Sequence, residues 1–266
     1  MVLLGLATLV GLGAGTLRRF ERRAERDVAA RLTGPDKTVR LRVVYPGVLS
    51  PALGEIARAE VTASRFSVVG LPFLSEPWRS SKGTIGRLVV DLRDFELSGL
   101  GVVRMRASLP NVRFDLAHAA RRAEIRIARS GKGRAEVVLD PQAIAAWVMR
   151  RTPGLRNVTG RIEDGKLGIA GRLRFGGFEV GFDVLSRVTG DGPRLLLERP
   201  RILIEGKRAE GPAVDDLVRA LNPVVDADRD LALRGAVGIE RVSVRNGLVV
   251  ASGSVVLPEA TGDRTR

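Results

Sequence analysis

The chain has no cysteine, a single histidine and a single tyrosine, and aromatic residues make up only 4% of it. Without cysteine there are no disulfides, no thiolate metal sites and no cysteine nucleophile. With His118 alone, a zinc site built from several imidazoles is excluded, and any histidine-based triad has to pass through that residue. The scarcity of aromatics, with Tyr45 the lone tyrosine, also argues against single-stranded nucleic acid, which is bound by cations interleaved with stacking rings. The sequence holds no GxxxxGK[ST] phosphate loop and no G-x-S-x-G nucleophile elbow. Ser130-Gly131-Lys132-Gly133-Arg134 has glycine and cations but lies between two strand-like runs and reads as a turn.

Acid pairs occur at Asp91/Asp94, Glu163/Asp164 and Asp215/Asp216. Their spacing fits surface pairs better than an acid–base pair or a metal site. His118, in LAHAARR, has no nucleophile signal nearby and reads as an ordinary surface or edge histidine. The expectation is therefore a protein without catalytic residues, metal or cofactor, and without nucleic acid as a partner.

What is present begins with charge: 44 Lys+Arg against 30 Asp+Glu give a net +14 over 266 residues. Such a surplus favours anionic partners, acidic lipid head groups among them. The arginines are spread along the whole chain, as a generally arginine-rich composition would also spread them. Hydrophobic residues at 44% are ample for one large core or two small ones.

Val2 to Leu17 is an uncharged apolar run, followed at once by Arg18, Arg19, Arg22 and Arg23. As a helix it would span roughly 24 Å, short of the ~30 Å hydrocarbon core. It fits a short anchor, a signal-peptide core or an interfacial helix. The arginines behind it would leave the following domain cytoplasmic by the positive-inside rule, whereas an envelope protein would carry that domain in the periplasm or outside the cell. Residues 18–34 read as an amphipathic helix with Ala24, Val28, Ala29 and Leu32 on one face, ended by Gly34-Pro35.

From Thr38 the period becomes two. Val39, Leu41 and Val43 alternate with Arg40 and Arg42; Ala57, Ala59, Val61 and Ala63 alternate with Arg58, Glu60 and Thr62. Leu88, Val90 and Leu92 oppose Asp91 and Arg93, and Val103, Met105, Ala107 and Leu109 face away from Arg104 and Arg106. Strands with one apolar and one charged face belong to antiparallel sheets wetted on one side. Asp164-Gly165, Gly176-Gly177 and Asn246-Gly247 sit between such runs and predict tight hairpins.

Two short helices interrupt the strands. One opens at Asp140-Pro141 and stops at Thr152-Pro153-Gly154; the other runs from Gly211-Pro212 to Asn222-Pro223. Each must cover apolar sheet surface. Val68 to Trp78 breaks the alternation, and its Phe73 and Trp78 suit either a loop tucked over the core or a lip that meets lipid. The apolar lining expected from the helices and this loop is Ile144, Trp147, Val148, Leu217, Leu221, Phe73 and Trp78.

The order of pieces carries a resemblance: VVYPGVLSPALGEIARAEVTASRF, LVVDLRDFELSG, NVTGRIEDGKLGIAGRL, RLLLERPRILIEG, a helix ending ALNPVVD, and GIERVSVRNGLVVASGSVVL. Over roughly residues 24–257 this is similar to the LmeA-like phospholipid-binding family of bacterial envelope proteins. The resemblance implies an α+β fold, a curved, mostly antiparallel sheet wrapped around short helices in the manner of tubular lipid-binding domains, preceded here by an apolar N-terminal helix. It also implies acyl chains bound in an apolar cavity without catalysis. The expected organisation is an anchor or signal segment (1–17), a helix leading in (18–34), a lipid-binding β-rich domain (35–258) and a tail (259–266). The expected partners are a phospholipid or other acyl-chain lipid and an anionic membrane surface. A structural envelope scaffold without a lipid, and a basic nucleic-acid-binding protein, are the alternatives.

Overall fold

The structure, a computed structural model, describes residues 21–260 apart from 23, 48, 49, 71–73, 123 and 176. The apolar run at 1–17 and Phe73 lie outside the described residues. Residues 24–30 form helix α1. There follow β1 (Thr38–Val44), α2 (Ser50–Leu53), β2 (Glu55–Ser64), β3 (Ser67–Val68), β4 (Gly83–Leu97), β5 (Leu100–Phe114) and α3 (Leu116–Arg122). Next come β6 (Ile127–Arg129), β7 (Gly133–Leu139), α4 (Pro141–Arg151), β8 (Leu155–Glu163), β9 (Lys166–Phe175) and β10 (Phe178–Asp191). The chain ends with β11 (Arg194–Ile204), β12 (Lys207–Arg208), α5 (Pro212–Leu221), β13 (Val225–Asp226), β14 (Val237–Arg245) and β15 (Leu248–Val255).

The fold is α+β with mostly antiparallel strands in two sheets. A nine-stranded sheet in the order β1-β2-β4-β5-β7-β15-β14, with β3 and β6 beside it, curls into a half-barrel. A six-stranded sheet, β12-β11-β10-β9-β8 with β13 on β11, lies next to it. The expected hairpins are in place: Asp164-Gly165, Gly177 and Asn246-Gly247 take positive φ between paired strands. A further turn of the same kind, Ser98-Gly99 between β4 and β5, has φ of 48° and 96°. Such values suit the primed turns that match strand twist. The antiparallel expectation fails only locally, where β2 and β3 pair with β4 in parallel.

Two lines of kinks cross adjacent strands of the half-barrel, each interrupting the pairing without changing the register. In the first, Arg65 (φ 56°) and Asp94 (φ 48°) both adopt left-handed backbone, and Asp94 and Val103, which stand opposite each other, are left out of the β4–β5 pairing. The Arg65 N–H donates to the carbonyls of both Arg93 (3.2 Å) and Asp94 (3.1 Å). In the second line, Ala57 and Gly86 drop out between β2 and β4, and Asn111 (φ 51°) drops out of β5 opposite Gly86. At each kink the side-chain alternation of the paired strands shifts by one while their register is kept. Inward positions in β4 are accordingly Ile85, then Leu88, Val90 and Leu92, then Phe95 and Leu97. The same shifts explain why Ala57 is exposed and why Val102, rather than Val103, turns inward. Past the first kink Phe66 stacks on Phe95 with ring centroids 5.0 Å apart.

The open edge of β1 is covered. Glu25 accepts the Leu41 N–H at 2.9 Å and Glu21 the Val43 N–H at 3.0 Å. One helical turn separates the two carboxylates and two strand residues separate the two donors, so helix and strand spacings match. Backbone donors that would otherwise invite another strand are thereby satisfied. Ala24, Val28 and Leu32 are buried on the underside of this helical segment.

The two sheets meet where β14 crosses β10. The Ile239 N–H donates to the Gly192 carbonyl at 2.6 Å, and a Cβ at Gly190 would come within 2.4 Å of Ile239. Helix α4 lies mainly on β8, with Asp140 capping its N-terminus by accepting from the Gln142 N–H at 2.6 Å. Helix α5 is tied to β11 through Asn222, whose side chain both accepts from and donates to the Leu197 backbone. Among the described residues no helix is long and apolar enough to cross a membrane.

Candidate ligand cavity

On the concave side of the half-barrel, strand register brings apolar side chains into two continuous rows. One runs Ala63, Leu92, Met105, Val137 and Ala251 across β2, β4, β5, β7 and β15. The other runs Val61, Val90, Ala107, Ala135 and Gly253 across the same strands and reaches Ile239 in β14. Every one of these residues lines a single internal cavity of about 170 Å³. Phe66, Phe95, Leu97 and Leu100 close one end of it. Among the described residues, the lining has no charged side chain, and its polar side chains are Ser252 and Ser254.

Three segments cover the open side. Val28 and Leu32 from the first helix face the cavity from the β1 edge. Residues 225–236 contribute Val225, Ala227, Leu231, Leu233 and Ala236. Val256 and Leu257 follow β15, held by the Val256 N–H to the Ala236 carbonyl (2.8 Å) and the Leu257 N–H to Ser130 Oγ (3.0 Å). The 225–236 segment is anchored by Arg151 at the end of α4. Arg151 bonds Asp230 at 2.8 Å and the Pro223 carbonyl at 2.6 Å. Asp230 is almost wholly buried; burial raises its carboxyl pKa, and Arg229, the Asp226 N–H and Arg151 together outweigh that and lower it. The cover is thus fixed by a charged tether to the second sheet's helices.

The opposite, convex face of the sheet is charged. Arg40, Thr62, Asp91, Arg106 and Glu136 are neighbours in one row. Asp91 accepts two bonds from Arg104 (3.0 and 2.8 Å) and another from Arg93 (3.1 Å). The Arg104 hydrogen bonds, followed by those of Arg93, hold the Asp91 carboxyl at about 2, below its ordinary 3.8. The wall of the cavity is therefore one strand thick, dry on one side and ion-paired on the other.

Of the residues expected to line a cavity, Phe73 lies outside the described residues. Ile144, Trp147 and Val148 of α4 are buried, as are Leu217 and Leu221 of α5, and none of them borders this cavity. Helix α4 packs mainly on β8 of the second sheet and also on β5, where the ring of Trp147 sits against the turn residue Gly99. Trp78 is 60% exposed. The lining comes from strands instead. Alanine is depleted in strands, so its recurrence at Ala63, Ala107, Ala135 and Ala251 is the sequence signal that marked this surface.

His118 does meet a carboxylate: its Nε2 lies 3.1 Å from Glu124. The hydrogen bond from His118, and then that from Arg126, lowers the Glu124 pKa. This pair belongs to a surface network that continues through Arg126 to Glu76 and Arg79. It is not part of the cavity lining. Among the described residues no group of acids and histidine is arranged to hold a metal ion. No family model matches the chain, and no curated protein or solved structure matches it either.

Proposed function

We propose that this chain is a non-enzymatic lipid-binding protein that takes an acyl chain of a phospholipid, or of another acyl-chain lipid, into the half-barrel at a cell membrane. The observation that carries this reading is the continuous apolar lining across the sheet, which among the described residues has no charged side chain in it. Each methylene transferred there from water contributes about 0.8 kcal/mol, and a hydrocarbon tail needs no polar partner. The head group would stay outside, where arginine is plentiful. The apolar run at 2–17 suits a membrane-tethered protein of the envelope. The sequence resemblance to the LmeA-like family, which rests on the order of its pieces, points to the same ligand class and to a tubular lipid-binding-like architecture.

Size sets how the ligand would enter. At about 170 Å³ the cavity is near the ~150 Å³ that admits a benzene-sized guest and below the ~300–1,000 Å³ of drug-sized sites. In this closed form it holds a short stretch of one chain. A full acyl tail requires the cover, residues 225–236 with Val256 and Leu257, to move outward. The same small volume favours a second reading, a scaffold whose sheet packs on a protein partner.

Native mass spectrometry of the full chain, purified from membranes and released from detergent, separates the two. Co-purifying phospholipid in stoichiometric amount, exchangeable with a fluorescent acyl-chain probe, is expected. A lipid-free protein that takes up no probe would overturn the proposal and leave the scaffold.

A further inference from the structure

Three exposed apolar residues, Val44, Leu53 and Trp78, lie toward the end of the half-barrel where β1 ends and β2 and β4 begin. Leu53 closes α2, and the next residue, Gly54, presses on Leu116 at the start of α3, where an added Cβ would lie 2.5 Å from Leu116 Cδ2. Trp78 sits in a turn held by the Arg79 N–H on the Glu76 carbonyl. Glu76 is paired with Arg126 (3.4 Å), Arg126 with Glu124 (3.1 Å), and Glu124 with His118 of α3 (3.1 Å). Leu53 and Trp78 therefore flank the same short helix from two sides.

The charge at this end is positive. Arg121 and Arg122 finish α3 exposed, and Lys82 is exposed just before β4. Of the carboxylates, Asp115 caps α3 through the His118 N–H, Glu76 and Glu124 are taken up by the network above, and Glu55 and Glu259, the latter bridged to Ser75, stand exposed. Glu21 is fixed to the Val43 N–H, and in the sequence the apolar run ends four residues earlier, at Leu17. Four residue steps span at most about 14 Å, so whatever holds the run lies close to Val44.

From these observations we infer that the α3 end of the domain, with Trp78 and Leu53 as apolar contacts and Arg121, Arg122 and Lys82 as cations, docks on an anionic phospholipid bilayer. Tryptophan suits the head-group level because its ring is apolar and its N–H polar, and each cation near such a surface strengthens binding about fivefold. The inference rests on the membrane location proposed above, not on what fills the cavity.

The chain's two tryptophans make the test direct, since Trp147 is buried and Trp78 exposed. The full chain is reconstituted in phosphatidylcholine–phosphatidylglycerol vesicles containing brominated chains, and the Trp78 signal is taken as wild type minus Trp78→Phe. A second protein, Trp78→Phe with Phe178→Trp, moves the reporter to the exposed β9–β10 tip, beside the far end of α4. Blue shift and bromine quenching at position 78, with none at 178, are expected. Exchanging Arg121 and Arg122 for Gln should abolish the dependence of that quenching on phosphatidylglycerol. Quenching at 178, or at neither position, overturns the docking face, and equal quenching in pure phosphatidylcholine overturns the role of the cations. Cavity lipid is read in the same preparations by mass spectrometry, so failure of the docking face and failure of lipid binding are distinguishable.

Discussion

The nine-stranded sheet presents Ala63, Ala107, Ala135 and Ala251 to its interior, whereas the six-stranded sheet presents Leu155, Leu167, Ile169 and Phe182 and covers them with α4. Both faces are apolar and belong to one continuous core. Only one of them leaves space. A filled sheet is held in shape by its contents, because close packing resists deformation. A hollow one needs other devices, and the half-barrel has two lines of kinks that keep register across its strands, and ion pairs on its convex face such as Asp91 with Arg93 and Arg104.

If this division holds, damage to the filled sheet should cost stability alone. Leu167 is fully buried against β8 and β10, and Leu167→Ala should lower the unfolding free energy by about 2–5 kcal/mol in urea titration. Acyl-probe uptake per folded molecule should stay unchanged. A selective loss of uptake would mean that the cavity draws on both sheets.

The reverse experiment fills the hollow. Ala135→Phe projects a ring into the cavity between Ala107 and Gly253. Displacing about three methylenes at ~0.8 kcal/mol each predicts roughly 50-fold weaker binding of the acyl probe, with stability changed by only about 1 kcal/mol. Undiminished binding would place the ligand elsewhere.

The smallest effect concerns the convex face. The Asp91 carboxyl is held at about 2 rather than 3.8, so its contribution is fully present above the unfolded value and disappears as pH falls from about 4 to about 2. The contribution is on the order of 1–2 kcal/mol. Asp91→Asn should lower stability at neutral pH and flatten the acid limb in that window. An unchanged slope would assign acid sensitivity to other groups.

Hairpin turns, the Asp140 cap and the alternation of apolar and charged residues were legible because each is decided within a few residues. Asn246-Gly247 makes its turn whatever surrounds it. The surroundings of Trp147 were not legible, by contrast, because a helix face shows only that something apolar covers it and not which sheet does so. The cavity was hidden for a related reason: Ala57 and Val103 continue the alternation of β2 and β5 in the sequence but fall at kinks, where the pairing with β4 is interrupted and the sides reverse.

The sequence by itself determined the strands, their dry and wet faces, the two body helices and an apolar segment ahead of an arginine-rich one. These follow from local backbone chemistry and from side-chain period. Tertiary structure alone decided that the kinks at 65/94/103 and 57/86/111 line up across three strands, that apolar residues from five strands fall in register, and that residues 225–236 close over them. Each of these depends on pairings between residues distant in the chain, and a lining assembled from single residues on many strands leaves no contiguous motif to read.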